Sequence, residues 1–416
     1  MNRPPVPGEA LYRTVEGARV LDLLLLHGWA FALRGEERAL AERQAAAALE
    51  RLVGLGLPFA RSGDGARLFD PVEALNFLRW AGVRGDDPTW IEHCLPTARR
   101  LAGAADEAER FAFTLRRTFN LKDRAPGTRV RLRLPLPLED GTLDDLRTEI
   151  MRPPGLEAEI VSEPARLDVI TAVPDDGVVS VAYRASFTTR PWTPAPAAGR
   201  VDPDEAELYT RPSEGLIRVN SRVADLAERL SGGETDSGAV VRRFWGFMMD
   251  DLSCGALHYD QLDGAAPLDW VLEHGWYDCK VGSALLAALC RARGIPARMV
   301  GGYMLHPASP AIHTWLEVWI DGSGWTPFDL ITWDLAAGDG DPAWRDRFFG
   351  RLHHRMATER PPRLFNGAGS VRLPPAWHML TAQAGDGCAV EFRALETGEL
   401  VYRDDIEIER LEGEPQ

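Results

Sequence analysis

The sequence predicts an α+β protein, and three observations carry that expectation. Between residues 110 and 190 apolar side chains recur with a period of two, as half-buried strands require. From residue 279 the period becomes that of a buried helical stripe. From residue 313 a β-branched and aromatic run leads through a glycine-rich turn into a second strand. No fixed repeat or long low-complexity tract runs through the chain, so a solenoid is not expected.

With 416 residues the chain exceeds one ordinary domain, and each part is long enough to bury a core. Four parts are expected: a helical accessory domain over 1–108, an antiparallel β-domain and linker over 109–200, a core over 201–340, and an extension with strands over 341–416. The formal charge of -15, from 62 acidic and 47 basic residues, argues against a nucleic-acid backbone or an anionic membrane as the main partner. Lys122 and Lys280 are the only lysines, which reads as coding bias toward arginine. The five cysteines are scattered and free of any CxxC pair, which disfavours a disulfide framework or thiolate metal site and favours a reducing compartment. The first residues lack a basic patch followed by an apolar run, and Val20 to Leu33 contains Asp22 and His27 and is too short to span a bilayer. A cytoplasmic protein without a cofactor is expected; its oligomeric state is not readable.

The elements follow in order. Val15 to Ala105 reads as helices, with Ala39 to Leu52 rich in Ala, Glu, Arg and Leu and Pro71 suited to a first helical turn. His27 and His93-Cys94, the only reactive types there, read as packed or surface residues. Val130, Leu132, Leu134, Leu136 and Leu138 alternate with Arg and Pro, Leu167 to Val173 and Val179 to Phe187 alternate likewise, and Pro174-Asp175-Asp176-Gly177 marks a turn. The proline-rich stretch Arg190 to Gly199 predicts an extended linker. Beyond it, Val223, Leu226, Ala227 and Leu230 mark one amphipathic helix and Val240, Val241, Phe244, Phe247 and Met248 a second, with Gly232-Gly233 between them.

Val281, Ala284, Leu285, Ala288, Leu289 and Ala292 form the next stripe, stopped by Gly294 and Pro296. Cys279 opens that helix. A thiol there feels the positive end of the peptide dipoles and the unpaired N–H groups, which favour thiolate and can also face a developing oxyanion. The alternative is a small buried hydrophobe, which is also the reading for Cys290 inside the helix.

His313 begins the run to Ile320, with His313, Trp315, Glu317 and Trp319 on one face and Leu316, Val318 and Ile320 on the other. Asp321-Gly322-Ser323-Gly324 is a turn, and Trp325 to Leu330 returns, bringing Asp329 back beside the first strand. A register condition follows: His313 and Asp329 share a face only if the turn holds an odd number of residues or carries a bulge. Thiol, imidazole and carboxylate in this order are the parts of a nucleophilic acyl-transfer site.

Cys279 with its helix, Leu289 to Arg298, Gly302-Tyr303, His313-Thr314-Trp315-Leu316-Glu317-Val318, Gly324-Trp325 and Asp329, taken together, resemble the bacterial transglutaminase-like family over about residues 205–335. The resemblance implies a papain-like core, a helix bearing the cysteine packed on an antiparallel sheet. It also implies that Cys279 attacks an amide or thioester carbonyl, His313 takes and returns the proton, and Asp329 orients the imidazolium. By the same resemblance Tyr259 is an oxyanion candidate, alongside the Cys279 amide, or else a packed aromatic. Trp276, Tyr277 and Trp315 are candidates to line the substrate cleft. The sequence departs from many relatives in having three residues between Gly275 and the nucleophile, the last of them Asp278. An acid there can cap the helix, and its charge opposes thiolate.

The function expected is a thioester-forming cysteine acyltransferase, amidase or protease that passes the acyl group from a peptide, protein or small-molecule substrate to water or an amine. The alternative is a non-catalytic binding or scaffold protein that retains the fold. A metal hydrolase built on His306, His313, His353 and His354 lacks a ligand motif such as HExxH, and Gly338-Asp339-Gly340-Asp341 lacks calcium-loop spacing. Trp377-His378 and the strand-like stretches Ala389 to Ala394 and Leu400 to Ile408 complete the extension.

Overall fold

A computed structural model describes residues 15–16, 49–57, 59–61, 63–69, 108–152, 155–163, 166–193, 199–254, 257, 262–305, 311–330, 348–361, 377–384, 387–394 and 400–411. The chain divides into two compact units. One comprises residues 1–104, 193–299 and 315–352, the other residues 105–192, 300–314 and 353–416.

The second unit begins with six strands: β1 (Glu109–Asn120), β2 (Arg129–Pro135), β3 (Leu143–Met151), β4 (Ala158–Glu163), β5 (Arg166–Ala172) and β6 (Val178–Thr189). Their period-two pattern is what the structure buries: Phe113, Leu115 and Phe119 of β1 and Val179, Val181, Tyr183, Ala185 and Phe187 of β6 all face one core. Leu132 and Leu134 of β2 and Leu167 and Val169 of β5 join that core from a separate three-stranded sheet, ordered β2-β5-β4. Pro174 to Gly177 turns the chain, with Gly177 at φ 66 and its N–H on the Pro174 carbonyl at 2.9 Å. Residues 194–198 of the Arg190 to Gly199 linker lie outside the described residues.

Five helices follow: α1 (Pro203–Tyr209), α2 (Ser221–Ser231), α3 (Ser237–Asp250), α4 (Pro267–His274) and α5 (Cys279–Ala292). Local chemistry sets their ends. Asp202, Asn220 and Asp236 cap α1, α2 and α3 by accepting backbone N–H groups, and Gly232 closes α2 at φ 56. At the end of α5 the N–H groups of Gly294 and Ile295 return to the carbonyls of Arg291 and Cys290 at 3.0 Å each, as the glycine at that place predicts. The stripe read for α5 understates its burial. Every residue from Val281 to Arg291 is buried, because α2, α3 and α4 and the short strand Ile217–Arg218 pack round it. A helix enclosed in this way is apolar on nearly all sides, and here Ala284, Ala287 and the buried Arg291, paired with Glu214 at 2.8 Å, occupy the side opposite the leucines.

The chain continues with β7 (Ala297–Met304), β8 (Ala311–Ile320), β9 (Gly324–Phe328), β10 (Arg355–Glu359), β11 (Trp377–Ala384), β12 (Gly387–Ala394) and β13 (Leu400–Leu411). A four-stranded sheet is ordered β9-β8-β7-β10, with β8–β9 and β7–β10 antiparallel. A six-stranded sheet, β11-β12-β13-β1-β6-β3, takes the last strands of the chain beside the first of the β-rich unit, β13 pairing with β1 over ten residues.

Near the amino terminus, residues 49–54 are helical, within the stretch read as such. Val15–Glu16, Arg67–Phe69 and Ala60–Arg61 form a three-stranded sheet that the helical reading did not include, since strands of two or three residues are too short to show a period. The helix expected from Pro71 to Trp80, with His27, His93 and Cys94, lies outside the described residues.

Candidate active site

Cys279 owes its place to the six residues from Gly275 to Lys280. Gly275 ends α4 at φ 82, a left-handed conformation that suits glycine, with its N–H on the Val271 carbonyl at 2.8 Å. Trp276 and Tyr277 then pair in parallel with Ser253 and Cys254. Asp278 leaves that strand in an extended conformation and caps α5, its Oδ1 accepting the N–H of Lys280 at 3.0 Å and of Val281 at 2.8 Å. Cys279 is therefore the first residue of the helix. It takes part in no disulfide and is half-buried.

Two neighbours hold that first turn. The Ser283 hydroxyl donates to the Cys279 carbonyl at 2.6 Å. Gly282 lies one turn after Cys279, on the same helix face, and has no room for a side chain. A methyl group there would stand 2.3 Å from the Tyr277 ring and 2.9 Å from Leu330 Cδ1. The residue that follows Asp329 thus packs against the turn that begins with Cys279.

The hairpin meets the register condition. Leu316 faces Phe328, Trp319 faces Trp325 and Ile320 faces Gly324, so the turn holds the three residues 321–323. Ser323 N–H donates to the Ile320 carbonyl at 2.9 Å, and Gly322 and Gly324 take φ values of 79 and 76. Counting outward from Leu316 and Phe328, Asp329 falls opposite Trp315 and on the face that His313 shares along β8. His313 and Asp329 are each 2% exposed. Burial of an imidazole and a carboxylate is uncommon and calls for polar partners.

The two faces of this hairpin differ chemically. Leu316, Val318, Ile320 and Phe328 belong to the apolar core around α5. On the other face Glu317 accepts from Arg298 Nε at 2.7 Å, and the Arg298 guanidinium lies 4.0 Å from the Trp325 ring centroid. Glu205 of α1 receives Arg298 at 3.3 Å and the Trp325 indole N–H at 3.2 Å. The polar face of the strand is braced by an arginine that bridges two glutamates and stacks on an indole.

The remaining candidates are distributed as follows. Tyr259 lies outside the described residues, as do His306 and Gly338 to Asp341. Trp276 is located by its backbone pairing with Ser253. Tyr277 and Trp315 are each 1% exposed, so both side chains serve the interior in this structure. Cys290 is fully buried, and burial pushes its thiol far above the ordinary range, as suits a core residue. His353 and His354 stack at 3.8 Å, and His354 Nε2 lies 2.8 Å from Glu109 Oε2, an ion-pair geometry in the β-rich unit. Among the described residues no group of three or more His, Cys, Asp or Glu side chains is arranged to hold a metal ion, and no helix is long and apolar enough to cross a membrane.

Gly282, Ser283 and the Arg298 clamp are absent from the residues singled out by sequence. The signal for Gly282 was present, since an isolated glycine inside a helical repeat usually has a packing reason. Arg298 pairs with a residue 19 positions away, and no local pattern specifies such a partner.

No curated protein matches this chain. Among solved structures, a candidate cysteine protease from Cytophaga hutchinsonii aligns at 15% identity and a TM-score of 0.44, covering 75% of this chain and 93% of its own. The periplasmic domain of TgpA from Pseudomonas aeruginosa aligns at 19% identity and a TM-score of 0.32, covering 60% of this chain and 95% of its own. Residues 224–330 match the family model described as the transglutaminase-like superfamily, and that segment contains Cys279, His313 and Asp329. In this segment the chain is similar to the transglutaminase-like superfamily.

Proposed function

We propose that the chain is a cysteine enzyme that carries an acyl group as a thioester on Cys279 and passes it to water or an amine. The observation that carries this reading is the three-residue turn 321–323, whose odd length lets His313 and Asp329 share a strand face within the family segment.

In the first half-reaction His313 takes the Cys279 proton as sulfur attacks the carbonyl carbon of an amide or thioester. The tetrahedral intermediate collapses when the leaving amine or thiol departs with the proton that His313 returns, and a thioester remains. In the second half-reaction water or an amine attacks the thioester, His313 takes its proton, and the proton passes to the departing Cys279 sulfur. Asp329 fixes the imidazole tautomer and stabilises the imidazolium. The Cys279 N–H, at the first position of the helix, supplies one donor to the oxyanion, with Tyr259 as the proposed second. Cys254, Cys279 and Cys290 take part in no disulfide, which is compatible with work in a reducing cytoplasm.

Intact-protein mass spectrometry with candidate amides and thioesters tests the reading. An acyl adduct is expected on the wild-type chain and not on Cys279→Ala. An adduct that survives the substitution, or none on the wild-type chain across a panel of amides and thioesters, overturns it. Ammonia release, amine incorporation or peptide cleavage then sorts the reaction.

A further inference from the structure

We propose that β3 is a dimerisation edge, at which two copies of this chain pair antiparallel about a two-fold axis through Thr148. The pairing belongs to the β-rich unit and does not depend on the chemistry proposed for Cys279.

β3 ends the six-stranded sheet, and among the described residues it pairs with β6 alone. Asp145, Arg147, Thr148 and Glu149 are exposed, and Leu146 and Ile150 pack only partly into the core. An edge of this kind is a template for another strand. The register with β6 fixes which backbone groups remain open. Arg190 N–H donates to the Thr142 carbonyl at 2.8 Å, and alternate residues of β6 turn the same way, so Ser186 and Arg184 address Arg147 and Glu149. The N–H and C=O of Thr148, between them, therefore point to the open edge. A bulge between Asp144 and Arg147, with Asp145 at φ 55, blunts the edge on one side only and leaves Arg147 to Met151 in regular register.

The residues flanking Thr148 select the partner. With the axis through Thr148, Arg147 of each copy stands opposite Glu149 of the other, and Leu146 opposite Ile150. Opposite charges meet on the outer face of the sheet, and apolar groups meet on the core-facing side. Neither Arg147 nor Glu149 has an ion pair within the chain among the described residues, because Arg184, opposite Glu149, turns instead to Glu409 at 2.8 Å. Other registers fail. An axis through Arg147 or through Glu149 sets a charge against its own copy, and parallel in-register pairing does so at both positions. Asp144 is already held by Arg190 at 2.5 Å and adds no further pair. One strand pair makes a small interface, so a reversible dimer dissociating in the micromolar range is expected.

Sedimentation velocity of the full chain over a range of concentrations tests the pairing. The net charge of -15 on each copy opposes association at low salt, so the measurement belongs at physiological ionic strength. The wild type is expected to show a concentration-dependent equilibrium of monomer and dimer. Arg147→Glu and Glu149→Arg each set like charges opposite one another at both flanks of the axis. Each is expected to raise the dissociation constant at least about tenfold, at the wild-type melting temperature. An equimolar mixture of the two variants, or one chain carrying both changes, makes the flanks opposite in charge again and is expected to dimerise as the wild type does. A wild type that stays monomeric overturns the proposal, and so does a dimer that neither single change weakens. A loss in both variants that neither the mixture nor the double change restores also overturns it.

Discussion

The core around α5 and the core of the β-rich unit solve burial by opposite means. Around α5 nearly everything enclosed is apolar, from Val223 and Phe244 to Leu285, Leu289 and Phe328, and polar groups stand at its ends, Cys279 at the first turn and Arg291, paired with Glu214, at the last. The β-rich core encloses charge. Arg117 is bonded to both oxygens of Asp404 at 2.6 Å, with its guanidinium 4.2 Å from the Tyr402 ring centroid, and Arg133 meets Asp168 at 2.7 and 3.1 Å. Along its length an enclosure so largely apolar fails chiefly by misfit. An enclosure with ion pairs fails when one partner is removed or titrated, because the survivor is stranded in low dielectric. The two units should therefore answer differently to shape and to charge.

The largest test of that contrast is Asp404→Ala, which leaves Arg117 buried and unpaired. It is expected to cost about 3–5 kcal/mol by chemical denaturation. The double change Arg117→Met with Asp404→Leu is expected to recover most of that loss, and a single-mutant cost under about 1 kcal/mol would break the comparison. Next in size is Gly282→Ala in α5, where a single methyl group overpacks Tyr277 and Leu330. A loss of about 1–3 kcal/mol, with slower acylation of Cys279, is expected. Gly246→Ala in α3 sharpens the point with the opposite sign. Nothing stands within 4 Å of the added methyl group, so helix propensity alone should stabilise the chain by about 0.5–1 kcal/mol.

The smallest effect is acid sensitivity at Asp168. Burial opposes its ionisation, but the hydrogen bonds and charge of Arg133, with Arg166 behind, outweigh burial and hold the carboxyl below the usual carboxylate range. A depressed folded value means that this stabilisation is fully present above the unfolded pKa of about 4 and is lost as pH falls through the folded one. Melting temperature against pH should fall below that point in the wild type. In Arg133→Gln, less stable at neutral pH, it should fall less steeply.

What the sequence made legible was what is local. The α5 stripe and its glycine stop, the alternation of β6 and the parity of the 321–323 turn all depend on residues within a few positions of one another, and each stands in the structure. Arg117 shows the limit. It occupies an inward register position between Leu115 and Phe119, so the pattern alone marks it as an anomaly in a core-facing row. Its partner Asp404 stands 287 residues away, and nothing in either segment names the other. The enclosure of α5 on all sides was equally illegible, because it depends on how three other helices pack, and the contact between Gly282 and Leu330 joins two segments that the sequence separates. At the site, the cap formed by Asp278 was readable from its type and place, whereas the Arg298, Glu317 and Glu205 clamp, drawn from three segments, was not.

The three-residue turn also constrains how this hairpin can change length. Adding or deleting one residue between Ile320 and Gly324 exchanges the faces of everything that follows in β9, sending Asp329 to the side of Leu316 and Val318 unless a bulge absorbs the change. Two residues at a time leave the faces as they are. Length variation at this surface turn is therefore quantised in pairs, and a loop graft or tag inserted there should be tolerated or not according to whether its length is even.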